Sequence, residues 1–246
     1  MNTLRNLFLT LDQDDLEGAF RRHARELTGT VPVTGKRTIA LDGKTLRGSF
    51  DHLNDQKAAH VLSAFASDAA LILAHREVAG APGEIPAVPI LMKELGLTDV
   101  LFTVDALHCQ KDAFKRAAET GNALLVQVKQ NQPTLQDTLA GLCARQQPLD
   151  SHETVDRRRH GRQEHRLVEV FDTAGQLDAP WQPLIACVAR VSRLTYTKPN
   201  LNTDFREELD LERESAKFRS AWHYVWVVPG VLAQRRAVPA ETGRAA

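Results

Sequence analysis

Two aspartates stand directly after short apolar runs of the sequence. Asp42 follows residues 38–41 and Asp105 follows residues 100–104, and both runs have the length and composition of buried strands. A carboxylate at the C-terminal end of such a strand projects from the edge of a sheet where ligands commonly bind. Two carboxylates on adjacent strands could share a hard divalent cation such as Mg²⁺, which prefers oxygen ligands. The pattern therefore permits metal-assisted chemistry at a phosphodiester.

Each aspartate also has a plainer interpretation. Asp42 precedes Gly43, and this dipeptide is a strong signal for a hairpin turn, with a second strand over residues 44–50. Asp105 can cap the helix that follows it. The residues alone leave both interpretations open.

The surrounding pattern predicts the elements that would position these side chains. An N-terminal helix is predicted over residues 12–27, with Asp12 as its cap. Apolar runs and turn formers then predict an antiparallel meander of about three strands over residues 38–78. The elements predicted after it are a helix at 86–95, a strand at 100–104, a helix at 110–120, a strand at 123–128, a helix at 133–145, and strands at 164–171 and 184–191. Hairpins followed by β-α-β crossovers predict a mixed α/β sheet flanked by helices.

Four segments, in order along the chain, resemble the motifs of one transposase family. Residues 39–49 and 103–110 resemble the first and second acidic motifs of the H-repeat-associated insertion-sequence transposases, a branch of the DDE transposases. Residues 128–132 resemble the Lys-x-Asn-Gln segment of that family, and residues 160–166 its His-Gly-Arg-x-Glu-x-Arg element. The resemblance covers roughly residues 5–195.

The resemblance implies a ribonuclease-H-like core that uses Mg²⁺ or Mn²⁺ to cleave and transfer DNA strands at insertion-sequence ends. It assigns Asp42 and Asp105 as the first two metal-binding and catalytic acids. The side chains expected to contact DNA are Lys44, Arg47, Lys129, Asn131, Gln132, Arg162 and Arg166. The plainer alternatives are a solvated strand face for Lys44 and Arg47, a helix cap for Asn131, and a solvated face for the basic run 157–166.

The family's third acid, in a helix resembling His-Trp-x-Ile-Glu-Asn, has no counterpart here, because Trp222 and His223 stand in the reverse order. Glu164 is the substitute considered, and an ion pair with a neighbouring arginine is its plainer interpretation. We therefore expect a fragment truncated at both ends, inactive or impaired, whose tail resembles an out-of-frame translation. The expected division is a helical segment at 1–35, the ribonuclease-H-like transposase core at 36–195 and an irregular tail at 196–246.

Bulk composition leaves other function classes open. The 246 residues carry 31 basic and 31 acidic side chains, so overall charge does not point to nucleic acid. No apolar run is long enough to predict a membrane span. The three cysteines have wide spacings that favour neither a disulfide framework nor a zinc site, and a reducing cytoplasm fits best. The alternatives are a non-catalytic DNA-binding module and a metal-dependent nuclease with Glu164 as third acid, and a homodimer on DNA stays open.

Overall fold

The computed structural model describes residues 6–7, 10–29, 35–46, 58–158, 162–173, 175–197 and 220–227. These residues fall into two compact units, which divide the chain between Val126 and Gln127. The first unit carries the described residues up to Val126, and the second comprises Gln127–Val227. No helix among the described residues is long and apolar enough to cross a membrane.

A five-stranded mixed sheet contains the predicted strands of the first unit. Its strands are β1 Thr38–Thr45, β2 His60–Ala66, β3 Leu71–Val78, β4 Leu101–Val104 and β5 Ala123–Val128. They lie in the order β3-β2-β1-β4-β5. Strand β2 is antiparallel to both of its neighbours, β1 and β3, whereas β1 and β5 run parallel to β4. This hairpin-plus-crossover arrangement confirms the predicted ribonuclease-H-like α/β fold class.

The helices with described bounds in the same unit are α1 Gln13–Gly29, α2 Ala81–Leu95 and α3 Lys111–Glu119. The predicted cap of α1 is confirmed, because Oδ1 of Asp12 accepts hydrogen bonds from the backbone N–H groups of Asp14 and Asp15. Helix α1 packs on β3, where Oε1 of Glu17 accepts the backbone N–H of His75 at 2.7 Å.

The core of the first unit lies between the central strands and the helices. Ile39, Phe102 and Leu124 are fully buried on β1, β4 and β5. Helix α2 adds Met92 and helix α3 adds Phe114, both also without solvent exposure. Strands β4 and β5 read as nearly continuous apolar runs because parallel strands are covered on both faces. This packing holds the carboxyl ends of β1 and β4 in fixed positions.

The second unit contains a helix, α4 Pro133–Arg145, whose predicted bounds are confirmed. Four antiparallel strands pair in chain order: β6 Asp150–Arg158, β7 Arg162–Asp172, β8 Cys187–Thr197 and β9 Ser220–Val227. Strand β6 was not among the predicted strands, because its residues 150–156 are all exposed and give no apolar alternation.

Two local predictions were wrong. Asp42 and Gly43 do not turn; β1 continues through both, and they lie opposite Ser63 and Leu62 of β2. The pairing with β2 therefore overrides the local turn preference. Helix α2 begins at Ala81 rather than at residue 86, with Pro82 in its first turn. Proline is tolerated there because the backbone N–H groups of the first helical turn have no acceptor within the helix, so that the lack of one breaks no hydrogen bond.

Candidate active site

Asp42 and Asp105 lie at corresponding positions of two adjacent parallel strands. Ala40 of β1 is opposite Thr103 of β4, and these two residues are the last pair in the register of the two strands. Asp42 lies two residues after Ala40, and Asp105 lies two residues after Thr103. The register therefore brings both aspartates to the same level at the carboxyl edge of the sheet. Neighbouring strands are about 4.8 Å apart, which lets two carboxylates reach one ion. Their side chains are 59% and 69% exposed, so this edge is open to solvent.

Asp105 combines its position at the strand end with a capping role. It precedes a single 3₁₀ turn, Ala106–His108, and its Oδ1 accepts the backbone N–H of Leu107 at 2.9 Å. The predicted cap is therefore present, although on a 3₁₀ turn rather than on the following α-helix. The hydrogen bond fixes the orientation of the carboxylate and leaves the group exposed, so capping and metal binding are compatible.

Asp42 lies beside a lysine on the same face of β1. Lys44 is two residues further along the strand, and its ammonium forms an ion pair with Oδ2 of Asp42. The hydrogen bond that Lys44 donates to the Asp42 carboxylate, and the negative charge of that carboxylate, raise the pKa of Lys44; the charge of Glu84 adds a smaller contribution in the same direction. A cation is thus held next to the first acid.

Behind the two aspartates lies a buried group of side chains that we call the Glu84 cluster: Glu84, His60 and His108. Their exposed fractions are 6%, 9% and 2%. Oε1 of Glu84 pairs with Nε2 of His60, and Oε2 of Glu84 lies 3.3 Å from Nε2 of His108. The same Nε2 of His108 is 3.8 Å from Oδ1 of Asp105. The cluster therefore extends to the second acid.

The Glu84 cluster also reaches the first acid through the neighbouring glycine. A Cβ on Gly43 would lie 2.1 Å from Oε1 and 2.5 Å from Oε2 of Glu84. The carboxylate of Glu84 thus fills the space that any other residue at position 43 would need. Glycine at position 43 therefore permits this close approach next to Asp42, whereas a side chain there would displace the carboxylate.

Sequence reasoning missed Glu84 and His60. Glu84 fell outside the predicted helix, which was expected to start two residues after it. Pro82 was the signal that the first helical turn begins earlier. His60 lies within a run that indicates only a strand. His108 lies within the second acidic motif, but the sequence indicated no role for it.

The donor atoms present fit a magnesium-type ion better than a closed metal cage. Among the described residues, no group of three or more His, Cys, Asp and Glu side chains is arranged to hold a metal. Both oxygens of Glu84 contact imidazoles, which leaves Asp42 and Asp105 as the carboxylates at the sheet edge. Mg²⁺ is commonly bound by one or two carboxylates and completes its shell with water and phosphate oxygens.

Three of the residues expected to contact DNA form the connection between β5 and α4. Lys129 and Asn131 are exposed and Gln132 is half-buried. The backbone carbonyl of Lys129 accepts the N–H of Gln132 at 2.9 Å, which closes a turn. Gln132 rather than Asn131 occupies the cap position of α4, and its side chain makes no capping hydrogen bond.

The remaining predicted residues lie on β7 or outside the described residues. Arg162 is the first residue of β7, and Arg47 falls in the undescribed range 47–57. Glu164 is 1% exposed and forms an ion pair with Arg166. This pair matches the plainer interpretation of Glu164. The structure describes Glu164 and the two aspartates in different units.

Comparison with known proteins identifies relatives of this chain. No family model matches it. It is 30% identical over 202 residues to "H repeat-associated putative transposase YhhI" of Escherichia coli K12, covering 76% of this chain and 53% of the relative. It is 32% identical over 145 residues to "H repeat-associated putative transposase YbfD" of the same organism, covering 58% and 57%. These relatives are named for one class of protein, the transposases.

The chain is thus similar to H-repeat-associated putative transposases, the family whose motifs its sequence resembles. It spans about half the length of the curated relatives it matches. A cryo-electron microscopy structure of the piggyBac transposase synaptic complex with hairpin DNA covers 74% of this chain and 38% of its own, at 13% identity. Its TM-score of 0.34 is too low to establish a shared fold.

Proposed function

We propose that this chain carries a metal-dependent centre for DNA strand cleavage and transfer in the transposition of an insertion sequence. The observation that carries the proposal is the shared register of Asp42 and Asp105 at the carboxyl ends of β1 and β4. Similarity to relatives that are named putative transposases supports the same chemistry. Asp42 and Asp105 would hold Mg²⁺ or Mn²⁺.

When bound, the metal supplies activation of a water or 3′-hydroxyl and stabilisation of the leaving oxygen. The protein's own part is to keep the two carboxylates in place. Asp105 is held by its hydrogen bond from Leu107, and Asp42 by the pairing of β1 with β2, which continues past it. Lys44 keeps a positive charge next to Asp42, where a DNA phosphate would approach the acids.

The proposed partner is the DNA of the insertion-sequence ends. Lys44 and Arg47 would contact the phosphate backbone beside the first acid. The connection between β5 and α4 would add Lys129, Asn131 and Gln132, and β7 would add Arg162 and Arg166. Arg166 is paired with the buried Glu164, whereas the pair of Lys44 with Asp42 is exposed to solvent, so Arg166 should contribute less to DNA binding than Lys44. A homodimer on DNA would bring two ends together.

The same proposal predicts impaired activity. Two carboxylates can hold one ion, whereas a second ion would lack ligands of its own if no third acid is present. Glu164 is the alternative third acid, and it could bind a metal only if its buried pair with Arg166 opened. We therefore expect slow nicking and no strand joining.

Nicking of supercoiled plasmid DNA in Mn²⁺ tests the proposal. The wild-type chain should nick slowly, and Asp42→Asn and Asp105→Asn should each abolish the activity. Asp68→Asn is the matched control, because Asp68 pairs with Arg37 away from this edge and its loss should leave nicking unchanged. DNA binding without nicking in the wild type, unaltered in both active-site variants, would establish a non-catalytic DNA-binding module instead.

A further inference from the structure

We infer that Glu84 is a positioning residue that holds Asp42 and Asp105 in the geometry for metal binding, acting through Gly43 and His108. The inference rests on the proposed function, because it concerns the same two acids. Glu84 lies in the first turn of α2 and is 6% exposed, so it acts from behind the site rather than from solvent.

The first link runs from Glu84 to Asp42. The Glu84 carboxylate packs against the α-carbon of Gly43, at a distance that leaves no space for a side chain there. Gly43 is in an extended strand, so its backbone does not require glycine for conformational reasons; the space taken by Glu84 does. Because Gly43 directly follows Asp42, a side chain at position 43 would collide with the Glu84 carboxylate, so that either this carboxylate or the backbone next to the first acid would have to shift.

The second link runs from Glu84 to Asp105. His108 ends the 3₁₀ turn that Asp105 caps, and its Nε2 faces Oε2 of Glu84 at 3.3 Å and Oδ1 of Asp105 at 3.8 Å. One imidazole edge therefore faces both carboxylates. Among the described residues, nothing lies within hydrogen-bond distance of the buried Nδ1 of His108. The ring is thus held by its contacts at Nε2.

The hydrogen bonds of the cluster indicate which ring nitrogen of each histidine carries its hydrogen. The Thr45 hydroxyl lies 2.8 Å from Nδ1 of His60, and a donation there leaves the N–H of His60 on Nε2, facing Glu84. An N–H on Nε2 of His108 completes the pattern, so that Glu84 accepts from two imidazoles. The Glu84 carboxylate then joins α2 to β2 and to the 3₁₀ turn. The hydroxyl of Thr45 connects His60 to β1.

The test measures Mn²⁺ affinity of the full 246-residue chain by electron paramagnetic resonance, with thermal unfolding recorded for every variant. Glu84→Ala should weaken Mn²⁺ binding about tenfold or more, as is usual when a group that orients metal ligands is removed. Gly43→Ala should give a similar loss. If Glu84→Ala does not fold, Glu84→Gln replaces it, because its amide keeps the volume but cannot accept from both imidazoles.

Two matched controls separate positioning from general damage. Gly83→Ala adds a methyl group one residue from Glu84, where the nearest atom is 3.6 Å away, so it should bind Mn²⁺ as the wild type does. Glu94→Ala removes the glutamate near the other end of α2, which pairs with Arg21 and Arg76. It should lower the unfolding temperature and leave Mn²⁺ affinity unchanged.

A double-variant cycle gives the decisive outcome. Gly43→Ala should cost little further affinity in the Glu84→Ala background, because the obstructing carboxylate is already gone. Equal losses in both backgrounds, or wild-type affinity in Glu84→Ala, would overturn the inference while leaving the proposed function intact. Wild-type affinity in Asp42→Asn and Asp105→Asn would instead overturn the proposed function itself.

Discussion

Lys44 and Asp42 form an ion pair at the carboxyl end of β1, so the first acid of the site has a cation as its neighbour. The pair is exposed, with the two side chains 71% and 59% accessible, and solvent screens it. Lys44 therefore opposes a metal ion at Asp42 and favours a DNA phosphate at the same edge. Its two effects can be measured separately.

Lys44→Ala should change metal and DNA binding in opposite directions. Mn²⁺ affinity should rise about two- to fivefold, because an exposed charge of the same sign is removed. Affinity for a DNA duplex should fall, and the slope of log affinity against log salt should decrease by about 1. Titrations by electron paramagnetic resonance and by fluorescence anisotropy measure the two effects.

Lys36→Ala is the control for this variant, because Lys36 forms a similar ion pair with Asp99 in the same unit. It should leave Mn²⁺ affinity unchanged. A fall of both affinities in Lys44→Ala would mean that Lys44 supports the site structurally.

Glu164→Gln should lower stability and leave Mn²⁺ binding unchanged. The variant removes the negative charge of the buried Glu164, with which Arg166 forms an ion pair. We expect the free energy of unfolding to fall by about 1–3 kcal/mol. Urea unfolding measures the loss. Loss of plasmid nicking with an unchanged unfolding midpoint would instead identify Glu164 as the third acid.

Asn122→Ala should destabilise the first unit by about 2–4 kcal/mol, because it removes two partners of buried backbone groups. Oδ1 of Asn122 accepts the N–H of Val100 at 3.0 Å, and its Nδ2 donates to the carbonyl of Leu97 at 2.8 Å. The fully buried side chain thus ties the start of β5 to the loop before β4. A urea midpoint equal to that of the wild type would show that these hydrogen bonds are dispensable.

The three cysteines should react slowly in the folded protein and make its stability fall at high pH. Burial raises the pKa of Cys109 to about 12 and those of Cys143 and Cys187 to about 11, from an ordinary value of 9.0. The protonated thiols are favoured by the fold, so their contribution is complete below about pH 9 and is lost as the pH rises toward 11–12.

Two experiments check this pH dependence. A disulfide reagent at about pH 8 should label the thiols only after denaturant is added. Urea midpoints should fall between about pH 9 and pH 11, and fall less in Cys109→Ala. Rapid labelling of all three thiols in the native protein would contradict their burial.

The fold class could be predicted because its main signals are local. Residues 123–128 and 133–145 have the apolar pattern and the proline that mark a buried strand and a helix start, and both elements are observed. The hairpin at Asp42 was wrong because the turn preference of one dipeptide is weaker than the pairing of β1 with β2. That partner lies some 20 residues further along the chain.

The two candidate acids could be found from local sequence signals, whereas the side chains behind them could not. Asp42 and Asp105 were identified because each directly follows an apolar run. The Glu84 cluster could not be found in this way, because His60, Glu84 and His108 come from three separate elements and meet only in the folded unit. The close approach of Glu84 to Gly43 gives a physical reason for the glycine that follows the first acid.

The most direct test of the central claim is whether Asp42 and Asp105 share one metal ion. Mn²⁺ titrations followed by electron paramagnetic resonance would compare the wild type with Asp42→Asn, Asp105→Asn and the double variant, with Asp99→Asn as control. If the acids share an ion, each single variant should lose most of the affinity, and the double variant should lose little more. Wild-type affinity in either single variant, or losses that simply add, would contradict a shared site.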